Sequence, residues 1–281
     1  MFTVVADSIV RVHQIPRGGL PTLTQLLQEG APTFALSLIA IGGVVWLVAY
    51  LIAIRVGIRE KIYPIPAVAV CLNITWEIVH SVVYPPPRAI DLATNLGWLA
   101  LDLVVLVLVF EYGRGRQRVP EIARFWPWVL AAGLVICFLG HVTFHQHVTA
   151  NSIFPDESGA IPAFVINLVM SVLFVSMYFA RSDGAGLSKG LAWSKFIGTG
   201  LYAVGNTLIL MRIPSIKYAV RIKAPDSKQW LAAGDVGNST IHPGFLYFLF
   251  IGIALFDVVY LWLLYRGPNA SRARAATAAV P

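Results

Sequence analysis

The residues best equipped for chemistry lie in one stretch, Asn73-Ile74-Thr75-Trp76-Glu77-Ile78-Val79-His80, within an apolar run from about Pro64 to Tyr84. A carboxylate at the centre of a membrane-length helix costs at least ~2.5–3.5 kcal/mol, and such residues by default face a cavity and mark a site. At 3.6 residues per turn, Asn73, Glu77, His80 and Tyr84 stand at i, i+4, i+7 and i+11 and share one stripe, with Trp76 beside it. Loss of water disfavours the charged form of a carboxyl. An acid held in hydrocarbon is therefore a stored proton donor, suited to general acid catalysis. Glu77 is the first catalytic candidate, weighed against a plain helix–helix hydrogen bond. His80 reads as a hydrogen-bond partner of Glu77 or of a neighbouring helix.

The rest of the chain must supply an interior for that polar face. It has 281 residues, of which 57% are hydrophobic and 12% charged, and its mean hydropathy is +0.72. Soluble domains carry about 25% charged residues, so this is a polytopic membrane protein. The net charge of +7 and pI of 9.6 do not argue for nucleic acid, because the Lys and Arg fall between apolar runs. Cys71 and Cys137 fall inside such runs and read as small buried hydrophobes. Runs of membrane-crossing length lie at about 33–54, 64–84, 89–110, 125–147, 161–181, 190–211 and 243–265. The expected fold is all-α, a seven-helix transmembrane bundle over 33–265. Residues 1–32 form an N-terminal extension with an interfacial helix at Leu20 to Glu29, 212–242 a long extracytoplasmic loop, and 266–281 a disordered tail. The first 30 residues lack the pattern of a cleaved signal peptide. Lys and Arg in short loops place the N-terminus outside and the C-terminus in the cytoplasm. The membrane is the cell membrane of a bacterium or the endoplasmic reticulum of a fungus.

Depth groups the polar residues. Counted from the outer boundary, His80 is about four residues in, Asn95, Asn167, Asn206 and His141 about six, and Glu77 about seven. Asn73 is about eleven in, Asp102 thirteen and Asp257 fourteen. At ~1.5 Å per residue this predicts a polar ring ~10 Å deep, with two carboxylates ~20 Å deep. Groups from six spans in one zone predict a central cavity in the outer half, closed below. The stripes carry aromatic rings: Asp91, Asn95, Trp98 and Asp102 on span three; Asn167, Ser171, Phe174 and Tyr178 on span five; Tyr247, Phe250, Ala254, Asp257 and Tyr260 on span seven. Ring faces stabilise cations by ~0.5–2 kcal/mol each and offer no nucleophile to trap one. Such a chamber suits an apolar substrate that becomes positively charged. Asp257 is alone on its span and Asp102 is a third candidate acid.

Two other classes compete. Intramembrane acids also fit a proton-coupled small-molecule transporter, but the inner halves are apolar and no broken helix pair is evident. Glu77 and His80 have the Glu-x-x-His spacing of carboxylate-bridged metal sites, and His141 and His145 are i, i+4, yet a second copy of the motif is absent. A phosphate loop, a CxxC and a DDxxD motif are absent too. No cofactor is called for, and an acid is expected to start the chemistry. A retinal protein is disfavoured, because span seven lacks a lysine.

At Asn73–Glu77 ("N-x-x-W-E") in span two, Trp98–Asp102 ("W-x-x-x-D") in span three and Phe256-Asp257-Val258-Val259-Tyr260 in span seven, the chain resembles the small seven-span terpene cyclases. These serve fungal meroterpenoid and indole-diterpene pathways, with bacterial relatives acting on prenylated indoles. The resemblance covers roughly 33–265. It implies that the acids of spans two and seven, here Glu77 and Asp257, are essential for protonating the substrate. It further implies a linear prenylated substrate whose terminal alkene or epoxide takes a proton and whose chain then closes into rings. On that implication Asn73, Trp76, His80, Asn95, Trp98, Asn167, Phe174, Tyr178, Asn206, Tyr247 and Tyr260 line the chamber. Glu77 and Asp257 would serve opposite ends of the folded chain, with Asp102 able to hold the proton of Asp257. The long loop 212–242 and the N-terminal extension depart from the compact fungal pattern.

Overall fold

A computed structural model describes residues 33–86, 89–146, 159–212, 221–223, 230–232 and 243–267. Among the described residues a helix stands at each of the seven runs: α1 (Thr33–Glu60), α2 (Ala67–Ile78), α3 (Ala89–Gly113), α4 (Trp126–Phe144), α5 (Ala160–Ala180), α6 (Lys189–Arg212) and α7 (Pro243–Arg266). A single turn of helix, Pro120–Arg124, leads into α4. Among the described residues five of these helices, α1, α3, α4, α5 and α7, are long and apolar enough to cross a bilayer. The shorter apolar helix is α2 with its extension, Ala67–Val83. The 24 residues of α6 are long enough, but Lys195, Asn206 and several glycines dilute its apolar character. The bundle's surface is itself apolar, with Val44, Leu51, Val107, Ile136, Ile251 and Leu255 all more than half exposed. That is the surface of a protein solvated by lipid.

Two features were not expected. First, α2 stops being α-helical at Ile78, and Val79–Val83 winds as a π-helix. The bond from Tyr84 N to Val79 O (2.7 Å) spans five residues instead of four. The predicted stripe from Asn73 to Tyr84 therefore breaks after Glu77. Second, the loop 212–242 contains a short antiparallel hairpin, β1 (Arg221–Lys223) and β2 (Trp230–Ala232), with Ile222 opposite Leu231. Among the described residues the regular structure is helical apart from that hairpin. The N-terminal extension with its interfacial helix, most of the loop 147–160, the rest of 212–242 and the tail lie outside the described residues.

Helix α2 packs against α3, α4 and α5, α1 lies along α6, and α7 packs against α5 and α6. Small residues allow the tightest seam. A Cβ on Gly42 would stand 2.9 Å from the Gly198 carbonyl oxygen, and one on Gly205 2.7 Å from that of Ala35. Backbones that approach this closely are how membrane helices gain packing without a hydrophobic driving force. Arg181 ties one end together. It is buried, donates to the carbonyls of Tyr63 (2.7 Å) and Ala185 (3.1 Å), and stacks over the Tyr63 ring (4.7 Å). This clasp joins the α1–α2 turn to the α5–α6 turn at the Arg-rich end of the bundle.

Candidate active site

Two buried polar centres lie inside the bundle. The first is built by α1, α2 and α3. Asp102 is fully buried and Glu77 is 4% exposed. The Tyr50 hydroxyl donates to Asp102 Oδ2 (2.6 Å), and Asn73 Nδ2 donates to the same hydroxyl (3.0 Å). The Glu77 and Asp102 carboxyls lie close enough to interact directly. Yet Glu77 Oε2 and Asp102 Oδ1 are both buried with no donor in reach among the described residues. Two carboxylates are acceptors only. One proton shared between them turns two conflicting acceptors into a donor and an acceptor, as like charges at close range require. The ring of Trp98 packs on Tyr50 (5.5 Å), and Trp46 lies on its other flank (6.2 Å).

The second centre is built by α5, α6 and α7. Lys195, 2% exposed, donates from Nζ to Asp257 Oδ1 (2.7 Å) and Oδ2 (2.9 Å) and to the Ser171 hydroxyl (2.6 Å). Thr199, one turn along α6, accepts from Trp46 Nε1 (3.1 Å) and Asn167 Nδ2 (3.2 Å). Phe174 and Tyr260 pack nearby (5.2 Å), and the buried Tyr260 hydroxyl has no hydrogen-bond partner among the described residues. Between the two centres runs a narrow crevice lined by Trp46, Ala49, Tyr50, Ile65, Met170, Phe174, Leu191 and Lys195. It admits little more than one water molecule, well short of the ~300–1,000 Å³ of ordinary ligand sites. Ile65 and Leu191 place it toward the Arg-rich end. The wide chamber expected in the opposite half is not confirmed by the described residues.

The structure thus sorts the expected residues. Glu77, Asp102, Asn73 and Trp98 come together, as do Asp257, Asn167, Phe174 and Tyr260. Asp257 is not alone: its carboxylate is bound to Lys195, and Asp102 belongs to the other centre. His80 does not face Glu77. Its ring sits among Trp76 (5.0 Å), His145 (5.5 Å) and Gly159, where a Cβ would fall 2.4 Å from Nε2. Gly159 has φ +67°, a conformation natural to glycine, and its carbonyl accepts from Trp76 Nε1 (2.9 Å). Asn95 Nδ2 donates to the His80 carbonyl (3.3 Å), a link between α3 and the π segment. Three residues stand apart from both centres. Asn206 bonds back to Tyr202 O of its own helix (2.8 Å). Tyr178 donates to Gly267 O at the Arg-rich end (2.6 Å), and Tyr247 is half-buried on α7.

The expectation of a polar-poor inner half is corrected by Lys195. Sequence reasoning passed over it, along with Tyr50, Trp46 and Thr199. A lysine six residues into an apolar run was a readable signal, since an intramembrane cation demands a partner. Tyr50 and Trp46 gave no signal, because aromatic residues are ordinary in such a helix.

The chain is similar to known proteins. Terpene cyclase terB of Tolypocladium album is 27% identical over 164 residues, 58% of this chain and 66% of that protein. Terpene cyclase ltmB of Epichloe festucae var. lolii is 26% identical over 214 residues, 76% of this chain and 86% of its own length. Asnovolin H synthase nvfL of Aspergillus novofumigatus is 26% identical over 155 residues, 55% of this chain and 62% of that protein. The chain thus spans just under two thirds of the length of terB. No solved structure matches. A family profile matches residues 29–219, which include Glu77, Asp102 and Lys195 and stop short of α7, and by that match the chain belongs to the Pyr4-like transmembrane terpene cyclases.

Proposed function

We propose that the protein is a membrane-bound terpene cyclase that works by general acid catalysis without a metal, and that Glu77 and Asp102 act as its proton-donating pair. The observation that carries this reading is the meeting of two buried carboxyls that lack one donor between them. A shared proton in a dry site is poised for transfer to a weakly basic group. The substrate is a linear prenylated molecule of the meroterpenoid or indole type. In the first step the pair gives its proton to a terminal alkene or epoxide: a C–H or O–H bond forms, and the alkene π bond or the epoxide C–O bond breaks. The next alkene attacks the resulting cation and closes a ring. The cascade ends when a C–H bond beside the last cation breaks, its electrons form a C=C bond, and the proton passes to a base. The product is an isomer of the substrate.

The protein's own groups support each demand of that sequence. Tyr50 and Asn73 hold Asp102 in place through the bonds described above. The rings of Tyr50, Trp98 and Trp46 offer faces to a passing cation and exclude water that would quench it. Asp257, bound through both oxygens, has no comparable vacancy for a proton and is not the starter. The named activities of the relatives, terpene cyclase among them, favour the same chemistry.

The test is cyclisation by purified protein in detergent, offered a farnesylated phenol or indole both as the alkene and as its terminal epoxide. Products are read by chromatography, mass and NMR. The expected result is a cyclic isomer of unchanged mass that persists with chelator and disappears in folded Glu77→Gln. No product from any head group, or full activity in Glu77→Gln, would overturn the reading.

A further inference from the structure

Between α3 and α4 the chain carries four arginines in eleven residues, Arg114, Arg116, Arg118 and Arg124, against one acid, Glu121. The connection is braced at both ends. Trp126 is buried, donates from Nε1 to the Val109 carbonyl (3.1 Å), and its indole fills the place where a Cβ on Gly113 would stand. Gln117 donates back to the Gly113 carbonyl (2.9 Å). The helical turn Pro120–Arg124 packs against the turn Arg114–Arg116. Arginines ten residues apart in sequence are thereby held on one small platform at the end of the bundle.

The protein uses two of the four. Arg116 pairs with Asp183, and Arg118 donates to the Ala180 carbonyl at the end of α5. Arg114 and Arg124 are exposed and make no ion pair among the described residues. Elsewhere at this end Arg59 pairs with Glu60, Lys189 lies over the Tyr265 ring and Arg266 over the Trp262 ring.

Beside its free guanidinium groups the platform turns an apolar edge outward. Val119, Ile122, Phe125 and Trp128 are all exposed, Trp128 by 76%. Cations next to aromatic and aliphatic side chains at the boundary of a bilayer sit at headgroup level. An anionic phospholipid matches both halves: its phosphate suits the two-pronged guanidinium fork, and its acyl chains suit the rings below. Orientation by positive charge needs only the number of Lys and Arg in short loops. It calls for neither a braced platform nor bare rings beside the charges.

We propose that the α3–α4 connection is a binding site for an anionic phospholipid, with Arg114 and Arg124 on the headgroup phosphate and Phe125 and Trp128 along the acyl chains. The site is separate from the two buried centres and does not depend on the cyclase reading.

The test uses the purified full chain in a nonionic detergent. Phosphatidylglycerol, or phosphatidylcholine with the same acyl chains, is added, and the rise in Tm is followed against lipid concentration. The wild type should respond to phosphatidylglycerol at a concentration at least about 10-fold lower, each of two arginines contributing roughly 5-fold. Arg114→Gln with Arg124→Gln should lose most of that preference. A control that removes the same charge from α1, Arg55→Gln with Arg59→Gln, should keep it. All four side chains are exposed, where substitutions are mild. If the pair in the connection still fails to fold, Arg124→Gln alone carries the test and must lose several-fold. Glycerol phosphate, the headgroup without its chains, should give no rise at the concentration where the lipid acts. Four results overturn the proposal: a wild type that answers both lipids alike or neither, an unchanged preference in the arginine variant, an equal loss in the α1 control, and glycerol phosphate as effective as the lipid.

Discussion

The two polar centres are both buried, both carboxylate-based and separated by a single aromatic residue, Trp46, yet they are chemically unlike. At Asp257 the carboxylate itself is satisfied: both oxygens accept from one ammonium, which also donates to Ser171. Around Glu77 and Asp102 the count fails by one donor. The first arrangement is finished and gains nothing from a proton. The second is complete only with one. Burial alone, which is all that depth in a hydrophobic run can signal, does not separate a proton store from a fixed charge. The identity of the partner does.

The contrast can be broken most forcefully at the acid pair. Glu77→Gln and Asp102→Asn should each lower the cyclisation rate by about 10²–10⁴-fold, and the double variant should lose little more than either, because the two act as one unit. Losses that multiply would mean two independent acids. Next in size is Lys195→Met. It strands the Asp257 charge and should cost about 3–5 kcal/mol of stability, read as a lower Tm in detergent; pairing it with Asp257→Leu should restore most of that loss. Tyr50→Phe removes one donor from the acid centre and should cost about 1–3 kcal/mol, read as a lower Tm in detergent. The smallest effect belongs to an exposed ion pair of the same kind, Arg116 with Asp183. Arg116 beside it holds the Asp183 carboxyl below the usual carboxylate range. That stabilisation is present above the unfolded value, ~3.9, and is lost as pH falls through the lower folded value. Asp183→Asn should therefore lower Tm slightly at pH 7, by less than ~1 kcal/mol for a pair about half in water, and the difference should shrink as pH falls below the unfolded value and vanish below the folded one.

Much of this was legible in the sequence. Hydropathy and length located all seven helices, and the rule that a membrane carboxylate needs a reason selected Glu77, Asp102 and Asp257. Helical periodicity put Asp102 and Trp98 on one face and Ser171 with Phe174 on another, and the structure keeps both. What was not legible has physical causes. The π segment cannot be seen in residue types, since Val79-His80-Ser81-Val82-Val83 reads equally well as a continued α-helix, and it moved His80 and Tyr84 off the stripe of Glu77. Partners across helices cannot be read from one helix, so Asp257 looked solitary and Lys195 went unassigned. The depth count ranked residues along the membrane normal but carried nothing about rotation. It therefore grouped Asp102 with Asp257, which belong to different centres.

The change of winding at Val79–Val83 has a consequence for how such a protein can vary. An i→i+5 turn holds one residue more than an α turn, so α2 contains the equivalent of a single-residue insertion after Glu77. Everything from Ala67 to Ile78 keeps the phase that sets the acid. Everything from Val79 onward has been rotated as a block, and the chain leaves toward Pro85 and Pro86 in a new direction. Loss of one residue there would return the helix to α winding and swing His80 away from Gly159, with Glu77 untouched. The far end of α2 can thus be remodelled by insertion and deletion while the acid stays in register.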